Sequence, residues 1–416
     1  MDVENVAQNA KECSQTLATA STEQKNTTLR AMAEKLEEKR DEIVAANEED
    51  MDEARADGLP DKLVNRLGFG DAKIDSRIES LNIIEDLLDP VGQEFWTEKR
   101  PNGLRAARVR VPLGVIMMVY EARPHVTVNA GAFCLKSGNA AILRGGSEAS
   151  NCNAVLGELW QESLEEAGLP ADAVQVISGS HEDVDALLAQ DDYIDMVIPR
   201  GGEGLIESVT EKSKIPVVKH FAGICHVYMD EGCDVEKGLE VALDGKCLMP
   251  EVCNATETLL VSEALTDELP RIVEAFRGAG VTVRGDETVQ GQVPDVEEAT
   301  EEDWKTEHLD MIISIRVVDS VEQAIEHING YGSHHTDSIV TDSVERADRF
   351  TDGVDSGVVL VNASTMFCDG QSLGMGAEIG ISTDKIHARG PMGLQDLTTY
   401  KFVIKGEGHI MGGPWK

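Results

Sequence analysis

The sequence predicts an α/β protein with two doubly wound domains and a small β arm. Short apolar runs alternate with helix-like stretches from about residue 111 to about 390. Several of these runs are followed at once by Gly-rich turns. Two further strand-like stretches, near 100–112 and 397–405, stand outside the alternation. Alternation of this kind implies mostly parallel sheets with right-handed crossovers, and strands outside it suit an arm.

Residues 1–90 read as helical. Ala, Glu, Lys and Leu dominate, and Leu29, Met32, Leu36 and Ile43 recur at helical spacing. T-E-Q-K from Thr22 is a helix start signal. GLRAARVR (103–110) alternates like an arm strand and leads into VPLGVIMMVY, a buried strand. Then come AAILR (140–144), a helix over 147–167, AVQVIS (173–178), a short helix over 181–190, DMVIPR (195–200), a helix through LIESVTEKS, and PVVKHF (216–221) as a strand. A second alternating block starts near 234, with TLLVS, VTVRG, MIISIRVV and GVVLVN as strands. LTTYKFVIKG reads as a returning strand. The expected divisions are 1–225, 226–390 and 391–416, with no internal repeat and no low-complexity linker.

A chain of 416 residues suggests two or three domains. Hydrophobic residues are 41% and aromatics 4%, enough for an aliphatic core. Lys+Arg is 37 against Asp+Glu 76, a net charge of -39. Such a surface repels nucleic acid and anionic membranes, so neither is an expected partner, and an anionic ligand needs a local cationic site. The acidity itself reads as a solubility adaptation. None of the eight cysteines forms a CxxC pair, so a disulfide framework is not expected. The N-terminal segment lacks the apolar core of a signal peptide, and no run reaches the ~18 apolar residues of a membrane span. A cytoplasmic protein is expected.

Cysteine chemistry needs an accessible thiol with a lowered pKa. Cys134 in AFCLK and Cys225 in GICHV sit in apolar runs and read as core. Cys253 follows Pro250 and Glu251 and precedes NATETLLV, so a turn places it near an element terminus. The cluster Cys225, His226, Cys233, Cys247 and Cys253 fits no zinc spacing, and no metal is expected. SGN (137–139), RGGSE (144–148) and PRGGEG (199–204) are each read as following a strand and preceding a helix, the place where dinucleotides are held in open α/β sheets.

VPLGVIMMVYEARPHVTVNAGAFCLKSGNAAILRGGSEA, IPRGG, VVKHFAGICHVYMD, VCNATETLL, YGSHHTDSIVT, VNAST and GAEIGISTDKIHARGPMGLQDLTTYKFV together resemble the gamma-glutamyl phosphate reductases, a family of the aldehyde dehydrogenase superfamily. The resemblance runs through nearly the whole chain and implies an aldehyde dehydrogenase-like fold whose arm joins subunits of a homo-oligomer. It implies Cys253 as nucleophile, with Asn254 beside it in the catalytic set. Lys136, Ser137, Gly138, Asn139, Arg144, Ser147 and Glu148 fall where the superfamily holds the adenosine half of NADP, here with Glu148 turned away from the ribose. Arg200, Gly201 and Gly202 fall near its pyrophosphate and nicotinamide, and Glu307 resembles the glutamate on the nicotinamide ribose. Lys385, His387 and Arg389 are the cations offered to an anionic substrate.

The implied reaction is NADPH-dependent reduction of L-glutamyl 5-phosphate to the 5-semialdehyde and phosphate, through a thioester on Cys253, in proline biosynthesis. A transient contact with glutamate 5-kinase follows from the lability of that substrate. Hydrolytic members usually carry a glutamate before the cysteine, and KHFAGICHVYMD has none. The chain departs from the family at Met366, where Arg is common, and at Leu248 and Met249, where bacterial members often have Gln-Arg. Two other readings are an acyl-CoA or other acyl-phosphate reductase, and a non-catalytic nucleotide-binding paralogue.

Overall fold

In the computed structural model, residues 1–219 and 222–411 are described; the end of PVVKHF and the last five residues of the chain lie outside them. The N-terminal region forms five helices, Val3–Leu17, Thr22–Glu38, Arg40–Ala56, Asp61–Leu67 and Asp71–Asp86. Leu29, Met32, Leu36 and Ile43 are all buried, as their spacing requires. The second helix is capped by Ser21 rather than Thr22: Ser21 Oγ accepts from Gln24 N–H while the Gln24 side chain accepts from Ser21 N–H.

The strands, in chain order, are β1 (Glu94–Lys99), β2 (Arg105–Pro112), β3 (Val115–Tyr120), β4 (Ala140–Arg144), β5 (Val174–Val176), β6 (Met196–Arg200), β7 (Cys225–Met229), β8 (Thr256–Ser262), β9 (Thr282–Gly285), β10 (Glu297–Glu298), β11 (Ile312–Val318), β12 (Thr336–Val340), β13 (Val358–Val361), β14 (Gly380–Ser382), β15 (Gly390–Met392) and β16 (Thr398–Lys405). The fold is aldehyde dehydrogenase-like α/β. The described part of PVVKHF, residues 216–219, does not form the expected strand. It makes one bridge, Val217 to Val197, because Pro216 lacks the N–H that a ladder needs.

Two units divide the chain. The first holds Met1–Lys219, Met375–Ile379 and the stretch from Met392 on. Its parallel sheet runs β5-β4-β3-β6. The chain moves from β3 outward to β4 and β5, then returns to the other side of β3 as β6. That reversal opens a crevice at the carboxyl ends of β3 and β6. In the same unit, β1, β2 and β16 form an antiparallel arm with β2 in the centre. Phe95, Trp96, Tyr400 and Phe402 are exposed on it, and the Arg108 guanidinium lies over the Trp96, Tyr400 and Phe402 rings.

The second unit runs up to Gly374 and includes Gly380–Pro391. Its seven-stranded sheet has the order β10-β9-β11-β8-β7-β12-β13, and all six neighbouring pairs are parallel. Successive side chains face opposite layers. Val227, Met229, Leu259 and Val261 enter one core, while Tyr228 and Leu260 enter the other. Burial on both faces makes β7 and β8 continuously buried strands.

Candidate active site

The carboxyl ends of β3, β4 and β6 gather the Gly-rich turns of the first unit. Arg144 ends β4, and Gly145, Gly146 and Ser147 lead into the helix Ser150–Glu166. Two cavities lie here. One of about 350 Å³ is lined by Tyr120, Glu121, Arg123, Arg144, Gly146, Ser147 and Glu148, with Leu59, Leu63 and Leu205 as an apolar wall. The other, about 230 Å³, lies between Arg144–Ser147 and Val176–Gly179. Arg144 is 8% exposed; its Nη2 donates to Gly179 O at 3.1 Å, and its Nε is buried with no partner. A buried orphan donor on a cavity wall is what an anionic or hydroxyl-rich ligand satisfies. The residues therefore fit the adenosine half of a dinucleotide. Glu148 is on the same wall, where a Cβ on Gly146 would meet its Oε2 at 2.5 Å.

Arg200, Gly201 and Gly202 follow β6 at the same edge. Glu121 Oε1 accepts Gly202 N–H at 2.9 Å, and a Cβ on Gly201 would lie 2.6 Å from the Glu121 carboxyl carbon. The structure does not bring Lys136, Ser137, Gly138 or Asn139 to these cavities. They precede β4 and so sit at the amino ends of the strands. Lys136 Nζ donates to Asn26 Oδ1 and Glu85 O, and Ser137 Oγ donates to Phe133 O. Asn139 accepts Gly114 N–H and donates to Ser137 and Leu397 O. Gly138 has φ +79° with Pro112 packed against it. These four residues pin the strand starts, and a glycine-containing turn looks the same in sequence at either end of a strand.

In the second unit the residues singled out for chemistry, Cys253 and Asn254, stand at the amino end of β8. Six cysteines are buried, and only Cys247 and Cys253 are partly exposed. Burial raises the pKa of Cys247, while Cys134 is pushed up to about 12 and Cys225 well above the ordinary thiol value, burial being the first cause in each. Cys253 lies in the turn between the helix Val235–Cys247 and β8, so a strand rather than a helix follows it. Gly223 comes so close that a Cβ would sit 1.7 Å from Cys253 O and 2.6 Å from its Cα. Gly223 N–H donates to Glu307 Oε1 at 2.8 Å. Cys225 Sγ lies 3.2 Å from Cys253 O and 3.7 Å from His335 Nδ1. The backbone of the thiol loop is thereby held from both sides. Sequence reasoning missed Gly223; its only signal was a glycine two residues before a buried strand.

Asn254 is 7% exposed, and its Nδ2 donates to Thr365 O, Met366 O and Cys368 O at 3.2–3.3 Å. The side chain thus ties the cysteine loop to the segment 365–368. Below it, Lys246 Nζ and Glu257 Oε2 form a fully buried pair at 2.7 Å. Burial raises Glu257 to about 7 against the opposing pull of Lys246. Leu248, Met249 and Phe367 are exposed beside this loop, so two of the positions that depart from the family present apolar surface.

The cations expected to hold substrate are committed elsewhere. Arg389 Nη1 and Nη2 donate to Asp355 Oδ1 and O at 2.7 and 2.9 Å, and Lys385 Nζ donates to Asp355 Oδ2 at 2.5 Å. These bonds, that of Lys385 first, hold the Asp355 carboxyl down at about 2. Both Nη atoms of Arg389 are taken by its own chain while its Nε is buried without a hydrogen-bond partner, and Lys385 and His387 are exposed. A cluster dense in cations along the sequence had a carboxylate folded onto it from 30 residues away.

The aldehyde dehydrogenase family model matches residues 1–291. The gamma-glutamyl phosphate reductase of Thermobifida fusca (strain YX) is 47% identical over 411 residues, 98% of each chain. The crystal structure of the gamma-glutamyl phosphate reductase of Thermotoga maritima superposes with a TM-score of 0.96 at 45% identity, covering 99% of this chain and 100% of that one. That of Saccharomyces cerevisiae is 31% identical, with a TM-score of 0.56 and 99% coverage of both chains. An acetylating aldehyde dehydrogenase from Geobacillus thermoglucosidasius shares the fold at 17% identity, TM-score 0.71, over 99% of this chain and 98% of that one. Nicotinamide cofactors are the family's oxidants and reductants, which suits the orphan donor of Arg144 and the cavity around it. The chain belongs to the aldehyde dehydrogenase family, on its gamma-glutamyl phosphate reductase branch.

Proposed function

We propose that this oxidoreductase reduces L-glutamyl 5-phosphate to L-glutamate 5-semialdehyde with NADPH, the second step of proline biosynthesis from glutamate. The observation that supports it most is the 47% identity to the Thermobifida enzyme across 98% of both chains, with a partly exposed cysteine in a loop braced by Gly223, Glu307 and Asn254. In this reading the Cys253 thiolate attacks the acyl carbon, phosphate leaves with the electron pair of the C–O bond, and a thioester forms. When bound, NADPH would supply the hydride that this thioester needs. Cys253 is then released as thiolate and the aldehyde is freed. No residue is needed to activate water, since no hydrolysis occurs.

In this reading Arg144, Ser147 and Glu148 hold the adenosine half of the cofactor and Arg200–Gly202 its pyrophosphate side. The 2'-phosphate favours NADP over NAD through Arg144 and Ser147. The exposed aromatic arm joins subunits in a homo-oligomer, because β1 and β16 each leave one edge open. Among the described residues no helix is long and apolar enough to cross a membrane, and we place the enzyme in the cytoplasm, with a transient contact to glutamate 5-kinase.

The reaction run in reverse is the test. Semialdehyde, NADP and phosphate should give NADPH, and phosphate should not be replaceable by CoA. Turnover with CoA alone would make the protein an acyl-CoA reductase, and silence with both would leave a nucleotide-binding paralogue.

A further inference from the structure

Lys246 and Glu257 straddle the turn that carries Cys253. Lys246 lies in the last turn of the helix Val235–Cys247, and Glu257 is the second residue of β8. Their side chains are 0% exposed and meet at 2.7 Å between Nζ and Oε2, so the pair closes the base of the turn. Desolvating two charges costs more than burying two apolar side chains of similar size. Stability alone therefore does not account for the pair. Direction does, because a carboxylate has two oxygens and here each holds a different segment.

Glu257 Oε1 accepts Leu309 N–H at 3.3 Å. Leu309 has φ +51°, a left-handed backbone that a leucine keeps only where its surroundings hold it. Two residues earlier, Glu307 Oε1 accepts Gly223 N–H at 2.8 Å. Gly223 in turn lies against Cys253, where a Cβ would stand 2.6 Å from the Cys253 Cα. The contacts form a ring: the thiol turn, Glu257, Leu309 with Glu307, Gly223, and the thiol turn again. Electrostatics trace the same ring. Burial raises Glu257 and Glu307 adds to the rise; burial lowers His308 to about 4, and Lys246 is the next cause. The segment 307–309 thus lies close to the Lys246–Glu257 pair, and the whole ring belongs to the second unit.

We infer that Lys246 and Glu257 are positioning residues for the Cys253 thiol. The pair sets the turn at its base and, through Leu309 and Glu307, at Gly223. This rests on the reading of Cys253 as the nucleophile. The pair acts on rate through the backbone that carries the sulfur, since a displaced nucleophile loses its alignment with the acyl carbon.

Lys246→Met/Glu257→Leu removes both charges together, so neither is left buried and unpaired. In the reverse reaction with semialdehyde, NADP and phosphate, this variant should lose about tenfold or more in kcat, with KM for NADP within about twofold and a melting temperature within about 5 °C of wild type. Lys246→Gln/Glu257→Gln keeps an acceptor for Leu309 N–H and should return to within about threefold of the wild-type rate. Adding Glu307→Ala to the Met/Leu variant should lower kcat less than Glu307→Ala does alone, because both changes break one ring. Wild-type kcat in the Met/Leu variant, or strictly additive losses with Glu307→Ala, overturns the inference. Should the wild type show no turnover, the reading of Cys253 fails, and amide hydrogen exchange still tests the ring. In the Met/Leu variant, or in Glu307→Ala if the former does not fold, amides of 248–255 and of 305–310 should exchange about tenfold faster, both segments together. Wild-type exchange in either segment overturns the coupling.

Discussion

The two units place their polar residues at opposite ends of their parallel strands. In the first, Arg144, Glu121 and Arg200 stand at carboxyl ends, beside cavities, and Arg144 keeps an unsatisfied donor. In the second, Gly223, Cys253 and Glu307 stand before β7, β8 and β11, at amino ends, and there Asn254 donates to three carbonyls and Lys246 is locked to Glu257. Beside the cavities Arg144 leaves a donor open, whereas around the thiol the polar groups hold one backbone geometry; away from that loop the second unit also has buried atoms without partners, Arg389 Nε among them. A substitution in the first should therefore cost ligand affinity, and one in the second should cost rate or stability.

The largest effect tests the thiol itself. Cys253→Ala should lower kcat by at least about three powers of ten with an unchanged melting temperature, whereas Cys134→Ala should keep its activity apart from a packing cost of order 1 kcal/mol. More than about a tenth of wild-type rate in Cys253→Ala would remove the assignment.

Gly223→Ala comes next. The new Cβ would overlap Cys253 O, so the loop must move, at a cost of about 3 kcal/mol or more. Thermal melting and kcat should fall together. A variant that melts normally and works normally would show that the second region is not held as tightly as the contrast claims.

Arg144→Gln probes the other side. KM for NADP(H) should rise about tenfold, equivalent to ~1.4 kcal/mol, with little change in melting temperature. Loss of stability without loss of affinity would make Arg144 a structural residue like Lys136 and erase the difference between the units.

Asp355→Asn has a smaller, pH-dependent effect. The Asp355 carboxyl is depressed from about 3.8 to about 2, so the stability it contributes is present above pH ~4 and is lost as pH falls through ~2. The variant should melt lower by roughly 2 °C at pH 7, since the group is 42% exposed and its pairs are screened. Its stability should also vary less than that of the wild type between pH 4 and 2. An identical acid profile would detach Arg389 and Lys385 from the pairing described, and return Arg389 to the list of substrate ligands.

Salt should act on both units at once. Raising KCl from low to molar concentration screens the self-repulsion of a chain at -39 and should raise the melting temperature by a few degrees. A constant or falling value would mean that the acidic groups are already dispersed or paired.

Local pattern by itself determined a good deal of this protein. The helical spacing of Leu29, Met32, Leu36 and Ile43, the strands β3, β4, β6, β8 and β11, and the return of β16 to β2 were all legible, because burial on one face or both leaves a period in the chain. Motif resemblance singled out Cys253, Arg144, Ser147 and Arg200, which are local signals too. Only the tertiary structure decided which turns lie at the carboxyl ends of strands, and so moved Lys136–Asn139 away from the cavities. It alone brought Asp355 onto Lys385 and Arg389, and set Gly223 against Cys253. The physical reason is that charge pairing, steric approach and desolvation act through space, between residues whose separation along the chain carries no record of their distance in the fold.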